Sequence, residues 1–287
     1  MIIVTGATGQ LGRQIVERLL TRVPAHQVGV SVRDPQKARA LADQGVRVRY
    51  GDFADAASLA LAFEGASQVL VVSVDQMGDG AVQQQQAAID AAVAAGARRI
   101  LYTSHMGASA ASHFEACRNH AATEEALRAS GVPFTSLRNG FHSASALQLS
   151  GHGLASGTIA LPADGPVCWT AHADLADAAA AILADEGRFD GPTPPLTAAQ
   201  VLTFADIAAI AAEITGRPIT RITVSDSRFR EQLTAGGVPA EVAGQLLGIF
   251  AASRAGEFAA TDPTLATLLG REPTTMATLL RAELSGD

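Results

Sequence analysis

The sequence predicts an α/β chain. A doubly wound parallel sheet is expected over residues 1–142, with some later segments returning to it, and a smaller mixed α/β lobe over residues 143–287. Three observations predict this. An apolar, β-branched run, Ile2-Ile3-Val4, passes through glycines at 6, 9 and 12 into apolar residues at helical spacing, Ile15, Val16, Leu19 and Leu20. Short apolar runs then recur at Val28–Val32, Val46–Tyr50, Gln68–Val74, Arg99–Ser104 and Phe134–Leu137, alternating with helical segments. Beyond about residue 143 the rhythm is lost.

Strand, glycine turn and helix in immediate succession form the context of a Rossmann dinucleotide fingerprint, here spaced G-x-x-G-x-x-G. Gly6 permits the tight turn. Gly9 has no side chain to obstruct a pyrophosphate, and Gly12 lets helix and strand pack closely. The free N–H groups at the helix start face the phosphates. Thr5, Gly6, Thr8, Gly9, Gln10, Leu11 and Gly12 are therefore candidate cofactor contacts.

The other candidates lie at the carboxyl ends of later strands, where ligands gather in open α/β sheets. The second strand ends in Arg33-Asp34-Pro35-Gln36-Lys37. Arg33 and Lys37 suit the 2′-phosphate of NADP, because a guanidinium matches a phosphate dianion; Asp34 keeps NAD as an alternative. The third strand ends in Asp52 and Phe53, expected beside the adenine, with Asp52 also a candidate N-cap for a helix over Ala56–Phe63. Ser73 and Val74 close the fourth strand near the cofactor ribose. Asp75–Gly80 reads as a loop. In the helix Ala81–Ala95, four consecutive glutamines read as an exposed face. Thr103 and Ser104 end the fifth strand, followed by His105, and a helix over Phe114–Ala129 carries His120 and Glu124. The sixth strand runs into Arg138-Asn139-Gly140-Phe141-His142. In the second half, a short strand is expected at Val167–Thr170 and another at Ile219–Val224. Helices are expected at Ala173–Ala184, Thr203–Thr215, Ser225–Leu233, Val238–Ala252, Pro263–Leu268 and Met276–Leu284.

The net charge of −7, from 21 basic and 28 acidic residues, supplies no basic excess for nucleic acid or an anionic membrane as the main partner. Two cysteines, Cys117 and Cys168, form no CxxC and suggest neither a disulfide framework nor a metal site. The first strand begins at once, leaving no room for a signal peptide, and no apolar run is long enough to span a bilayer. A cytoplasmic protein is expected, with a homodimer as the one macromolecular association left open.

The chain resembles the NmrA-like branch of atypical short-chain dehydrogenase/reductases, and within it the bacterial type-2 NAD(P)H:quinone oxidoreductases. The residues that carry the resemblance are the Thr5–Gly12 loop, Val32–Ala38, Tyr102-Thr103-Ser104, His120 with Thr123-Glu124, Leu137-Arg138-Asn139-Gly140-Phe141, and Gly270-Arg271-Glu272-Pro273-Thr274-Thr275. The resemblance implies an NADPH-binding lobe, with NADH as the alternative, and a cleft where a quinone or related aromatic acceptor meets the nicotinamide. It puts Asn139, Gly140 and Phe141 at the nicotinamide end. It gives Ser104 the place of a hydroxyl that orients a substrate carbonyl. His120 stands where short-chain reductases have the lysine of Tyr-x-x-x-Lys, and Ala116 stands in place of the tyrosine. A quinone tolerates that loss, because hydride addition yields a stable phenolate. His120 is then expected to hold the nicotinamide ribose, and His142 or His105 to relay a proton or bind the acceptor oxygen. The plain alternative for His120 is an i,i+4 pair with Glu124. Two other functions stay open: a non-catalytic NADP(H)-sensing regulator, and a tailoring oxidoreductase of polycyclic aromatic natural products.

Overall fold

The computed structural model describes residues 1–76 and 78–285. In chain order the first part comprises β1 (Ile2–Thr5), α1 (Gln10–Leu19), β2 (Val28–Val32), α2 (Arg39–Asp43), β3 (Arg47–Tyr50), α3 (Ala56–Phe63), β4 (Gln68–Val71), α4 (Asp79–Ala94), β5 (Arg99–His105), α5 (Glu115–Ala129) and β6 (Phe134–Asn139). There follow β7 (Phe141–His142), α6 (Ser143–Ser156), β8 (Thr158–Pro162), β9 (Trp169–Thr170), α7 (His172–Ala184), β10 (Gly191–Pro192), α8 (Phe204–Thr215), β11 (Thr220–Val224), α9 (Asp226–Ala235), α10 (Ala240–Arg254), α11 (Thr264–Leu269) and α12 (Met276–Ser285).

Seven strands form one sheet in the order β10-β6-β5-β4-β1-β2-β3, and every neighbouring pair in it is parallel. Chain order reverses between β1 and β4, which opens a crevice at their carboxyl ends. The central strands β1, β2 and β4 are buried throughout, as covering both faces of a parallel sheet requires. On one face α1 and α7 pack together, and Leu11, Ile15, Val16 and Leu19 of α1 join Leu175, Ala179 and Ile182 of α7 in one buried cluster. Each such aliphatic side chain contributes about 1.5–3 kcal/mol relative to exposure. On the other face α3, α4 and α5 bury Leu59, Phe63, Ile89 and Leu127 against Val69, Ile100 and Tyr102.

Several segments differ from the sequence reading. Residues 143–156 are helical despite their serines and glycines, because Ala146, Ser150, Gly153 and Leu154 are buried there, and a Cβ on Gly153 would lie 2.7 Å from Ile159. The second half does contain parallel pairing, β8 with β11 and β7 with β9. Arg138 and Asn139 end β6, and Phe141 and His142 form β7, with Gly140 alone between the two strands. The cap of α3 is Asp55, which accepts from Ala57 N and Ser58 N at 3.1 and 3.2 Å; Asp52 is left outside the helix. Of the expected loop 75–80, Asp79 and Gly80 belong to α4, and Met77 lies outside the described residues. Within the glutamine run, Gln85 is 2% exposed and not on the surface.

The Gly270–Thr275 segment ties the end of the chain to α7. Asp174 is fully buried, and it accepts from Arg271 Nη2 at 2.7 Å and from the Thr274 N–H at 2.6 Å. Among the described residues no helix is long and apolar enough to cross a membrane, and no group of three or more His, Cys, Asp or Glu could hold a metal.

Candidate functional site

A cleft of about 660 Å³ opens at the sheet reversal. Its floor is the glycine turn. Gly6 adopts φ +61°, in the left-handed region glycine favours, and accepts from Gly9 N at 2.9 Å. Gly12 packs so closely that a Cβ would lie 2.3 Å from the Gly6 carbonyl oxygen. Gly9 is the N-cap of α1 and carries no side-chain cap, so the first N–H groups of the helix are free for an anion. This bare, close-approach backbone fits a diphosphate.

Among the expected contacts, Gly6, Thr8, Gly9, Gln10, Leu11, Gly12, Arg33, Lys37, Asp52, Phe53, Ser73, Val74 and His142 line the cleft. The sequence reading missed Ser31, Gly51, Val72, Asp75, Gln76 and Gln84 there. Ser31, Gly51 and Val72 lie within or next to strand ends already singled out. Gln84 comes from α4, and no local signal distinguishes it from its glutamine neighbours. At the β2 end Arg33 is exposed and makes no hydrogen bond or ion pair among the described residues. Asp34 instead caps the following turn, accepting from Gln36 N at 3.1 Å, and does not line the cleft. The cleft therefore presents cations, not a carboxylate, at the β2 end.

Other expected contacts lie behind the cleft wall. Thr5 is buried, and its Oγ1 accepts from Val72 N at 2.9 Å. Thr103 Oγ1 accepts from Ser73 N at 2.8 Å and so orients a cleft residue. Ser104 is 3% exposed and donates to Glu124 Oε1 at 2.8 Å. Strand alternation turns it toward α5, so its hydroxyl does not reach the cleft. Gly140 lacks room for any Cβ, which would meet Thr170 Oγ1 at 2.2 Å. Phe141 packs edge-on to His105, Trp169 and Phe258. Asn139 is buried, and its Oδ1 has no partner among the described residues. A buried acceptor left so costs about 1–3 kcal/mol unless something donates to it.

Glu124 does not pair with His120. It binds Arg138, accepting from Nη2 at 2.7 Å and from Nε at 3.1 Å, and it also accepts from Ser136. Burial pushes its pKa up, but hydrogen bonds from Arg138, Ser104 and Ser136, with the Arg138 charge, hold it below the usual carboxylate range. His120 Nδ1 instead lies 2.7 Å from the Tyr102 hydroxyl.

Four histidines form two ring pairs, and of these His142 lines the cleft. The rings of His105 and His120 stack at 6.0 Å, and those of His142 and His172 lie 4.2 Å apart. Burial lowers the pKa of each. His120 falls to about 4, with Glu124 opposing, and His142 to about 3, with His172 and His120 adding to the effect. His105 falls well below its ordinary value and His172 is lowered by burial as well. All four are neutral at pH 7. They can exchange hydrogen bonds with a ligand but are not imidazolium acids.

The NmrA-like family profile matches residues 1–279. Quinone oxidoreductase 2 of Escherichia coli (strain K12) is 35% identical over 278 residues, covering 96% of this chain and 96% of that protein. The crystal structure of the NADPH-dependent quinone oxidoreductase from Escherichia coli complexed with NADPH superposes with a TM-score of 0.93 at 34% identity, covering 99% of this chain and 100% of that one. The triphenylmethane reductase of Citrobacter sp., complexed with NADP(H), gives a TM-score of 0.88 at 34% identity, covering 98% and 99% of the two chains.

Proposed function

Since the chain belongs to the NmrA-like family, we propose that it is an NADPH-dependent reductase passing hydride to a quinone or related aromatic acceptor without a Tyr-x-x-x-Lys acid. The observation that carries the cofactor half is the cleft itself. One end is bare glycine backbone with free helix N–H groups, and the β2 end is cationic through Arg33 and Lys37. The two solved structures described above were determined with NADPH or NADP(H), which supports the same reading.

Bound there, the reduced nicotinamide supplies the hydride. The chain supplies position. The glycine turn and helix start hold the diphosphate, Arg33 and Lys37 the 2′-phosphate, Asp52 and Phe53 the adenine side, and Ser73 and Val74 the ribose region. Thr103 orients Ser73 through its N–H. His120 holds the nicotinamide ribose, and Asn139 offers its unpartnered oxygen at the nicotinamide end, beside Gly140 and Phe141. His142, neutral and lining the cleft, donates a hydrogen bond to the acceptor oxygen. A quinone needs no stronger acid, because the phenolate it yields is stable near neutral pH.

The experiment is a turnover screen of the full chain with benzoquinones, naphthoquinones, anthraquinones and triarylmethane dyes, run with NADPH and with NADH. Quinone-dependent NADPH oxidation is expected, with simple ketones inert. Tight NADPH binding with no turnover of any acceptor would replace this reading with that of a redox-sensing regulator. Turnover of triarylmethane cations alone would move the acceptor to the class the Citrobacter relative is named for.

A further inference from the structure

The buried glutamine in the Gln83–Gln86 run is not explained by the cleft, and its hydrogen bonds decide a proton position. Gln85 Nε2 donates to the Ala81 carbonyl and to Thr123 Oγ1, both at 3.2 Å. The Thr123 hydroxyl proton is already given to the Asn119 carbonyl at 2.9 Å, so Thr123 can only accept from Gln85. Reversing the amide would set its oxygen against the Ala81 carbonyl oxygen, a contact with no proton between the two. The Gln85 oxygen therefore faces Tyr102, whose hydroxyl lies 2.6 Å away. A phenol has one proton, and it goes to Gln85. The Tyr102 oxygen, 2.7 Å from His120 Nδ1, can then only accept from that ring.

We propose that Gln85 and Tyr102 are positioning residues that fix His120 as its Nδ1–H tautomer, so that Nε2 presents a lone pair to a hydroxyl of the bound nucleotide's ribose. The ligand clause rests on the function proposed above; the tautomer does not. His120 is partly exposed, its Nε2 makes no hydrogen bond among the described residues, and its ring stacks on His105, which packs edge-on to Phe141, the chain neighbour of the cleft-lining His142. The polarity is opposite to that of a lysine at the same position. An ammonium only donates, whereas this imidazole nitrogen only accepts. The stacked neighbour has the reverse assignment. His105 Nδ1 accepts from the Gly107 N–H at 3.0 Å, so its proton sits on Nε2.

The test is a two-bond ¹H–¹⁵N correlation spectrum of the full chain labelled with ¹⁵N-histidine at pH 7.5, with His120 assigned by its loss in His120→Asn. The expected wild-type spectrum shows His120 protonated on Nδ1. In Gln85→Met the Tyr102 hydroxyl loses its acceptor and turns to His120 Nδ1, and the His120 proton moves to Nε2. His120→Phe, which removes both ring nitrogens, raises the NADPH Kd, from fluorescence titration, roughly 2- to 12-fold, the equivalent of one neutral hydrogen bond. A wild-type His120 protonated on Nε2 overturns the proposal, whether or not Gln85→Met folds. So does an unchanged tautomer in Gln85→Met. An unchanged Kd in His120→Phe overturns the ribose contact. Nδ1–H in the wild type with no quinone turnover refutes the acceptor reading and supports this one.

Discussion

Two glycines of the same turn should fail in opposite ways. A Cβ on Gly12 would lie 2.3 Å from the Gly6 carbonyl oxygen and 2.8 Å from its carbonyl carbon. Both are backbone atoms, so no rotamer change can relieve the clash. To reach ordinary contact the start of α1 must move off the turn by roughly 1 Å. Overpacking of this kind costs about 1–3 kcal/mol, and the better helix propensity of alanine offsets about 1 kcal/mol of it. With a backbone clash at the upper end of that range, Gly12→Ala should destabilise by about 1–2 kcal/mol, lowering Tm by roughly 2–8 °C at about 2–4 °C per kcal/mol. Gly9 is different. Its backbone is extended, at φ −83° and ψ 172°, which a β-branched residue tolerates. A Cβ there meets only the Gly6 carbonyl oxygen, at 3.3 Å. Gly9→Val should keep its Tm within about 2 °C. Its side chain, however, stands where a diphosphate must meet the helix N–H groups. Losing one or two charge-assisted hydrogen bonds, about 1.5–3 kcal/mol each, raises the NADPH Kd by about 10-fold or more. Thermal melts and fluorescence titrations on the two variants decide it. A Gly9→Val protein that binds NADPH as tightly as its parent refutes the diphosphate cradle. A Gly12→Ala protein with unchanged Tm refutes the close-packing argument.

Arg33 sets the nucleotide preference if its free guanidinium meets a 2′-phosphate. Arg33→Ala should raise KM for NADPH about 10- to 100-fold with little change for NADH, from the loss of one charged hydrogen bond; a parallel rise for both nucleotides would contradict this. Glu124 links stability to pH. Its pKa is depressed in the folded state, so its contribution is complete above the unfolded value of about 4.3 and is lost as pH falls through the folded value. Glu124→Gln should therefore destabilise at pH 7 by about 2–3 kcal/mol. That is below the usual ~3–5 for breaking a buried pair, because the Arg138 side chain stays 32% exposed. The gap to wild type should close below about pH 4, and urea unfolding at pH 7 and pH 3 with a constant gap would refute the assignment.

The glycine turn proposed to hold the diphosphate was legible because all its determinants are local. A β-branched strand, three glycines and an amphipathic helix lie within twenty residues, and backbone geometry follows from them directly. The strand ends were legible for the same reason, and with them Arg33, Lys37, Asp52, Phe53, Ser73 and Val74. The burial of residues 143–156 was not, because it depends on packing against Ile159 and on elements such as β9 and α8. Gln85 and its three neighbours are indistinguishable by type, and only the orientation of α4 against Tyr102 and Thr123 selects one of them. Ser104 shows the same limit, since sequence gives its place at a strand end but not the carboxylate waiting twenty residues on.

By itself the sequence determined the parallel sheet, its glycine turn and the cations beside the second strand, since local backbone preference and hydrophobic period require no distant partner. Only the tertiary structure decided which polar groups are paired, which histidines are buried and so neutral, and which side chains face the cleft. Those are consequences of desolvation and of contacts between residues far apart in the chain. No local propensity encodes them.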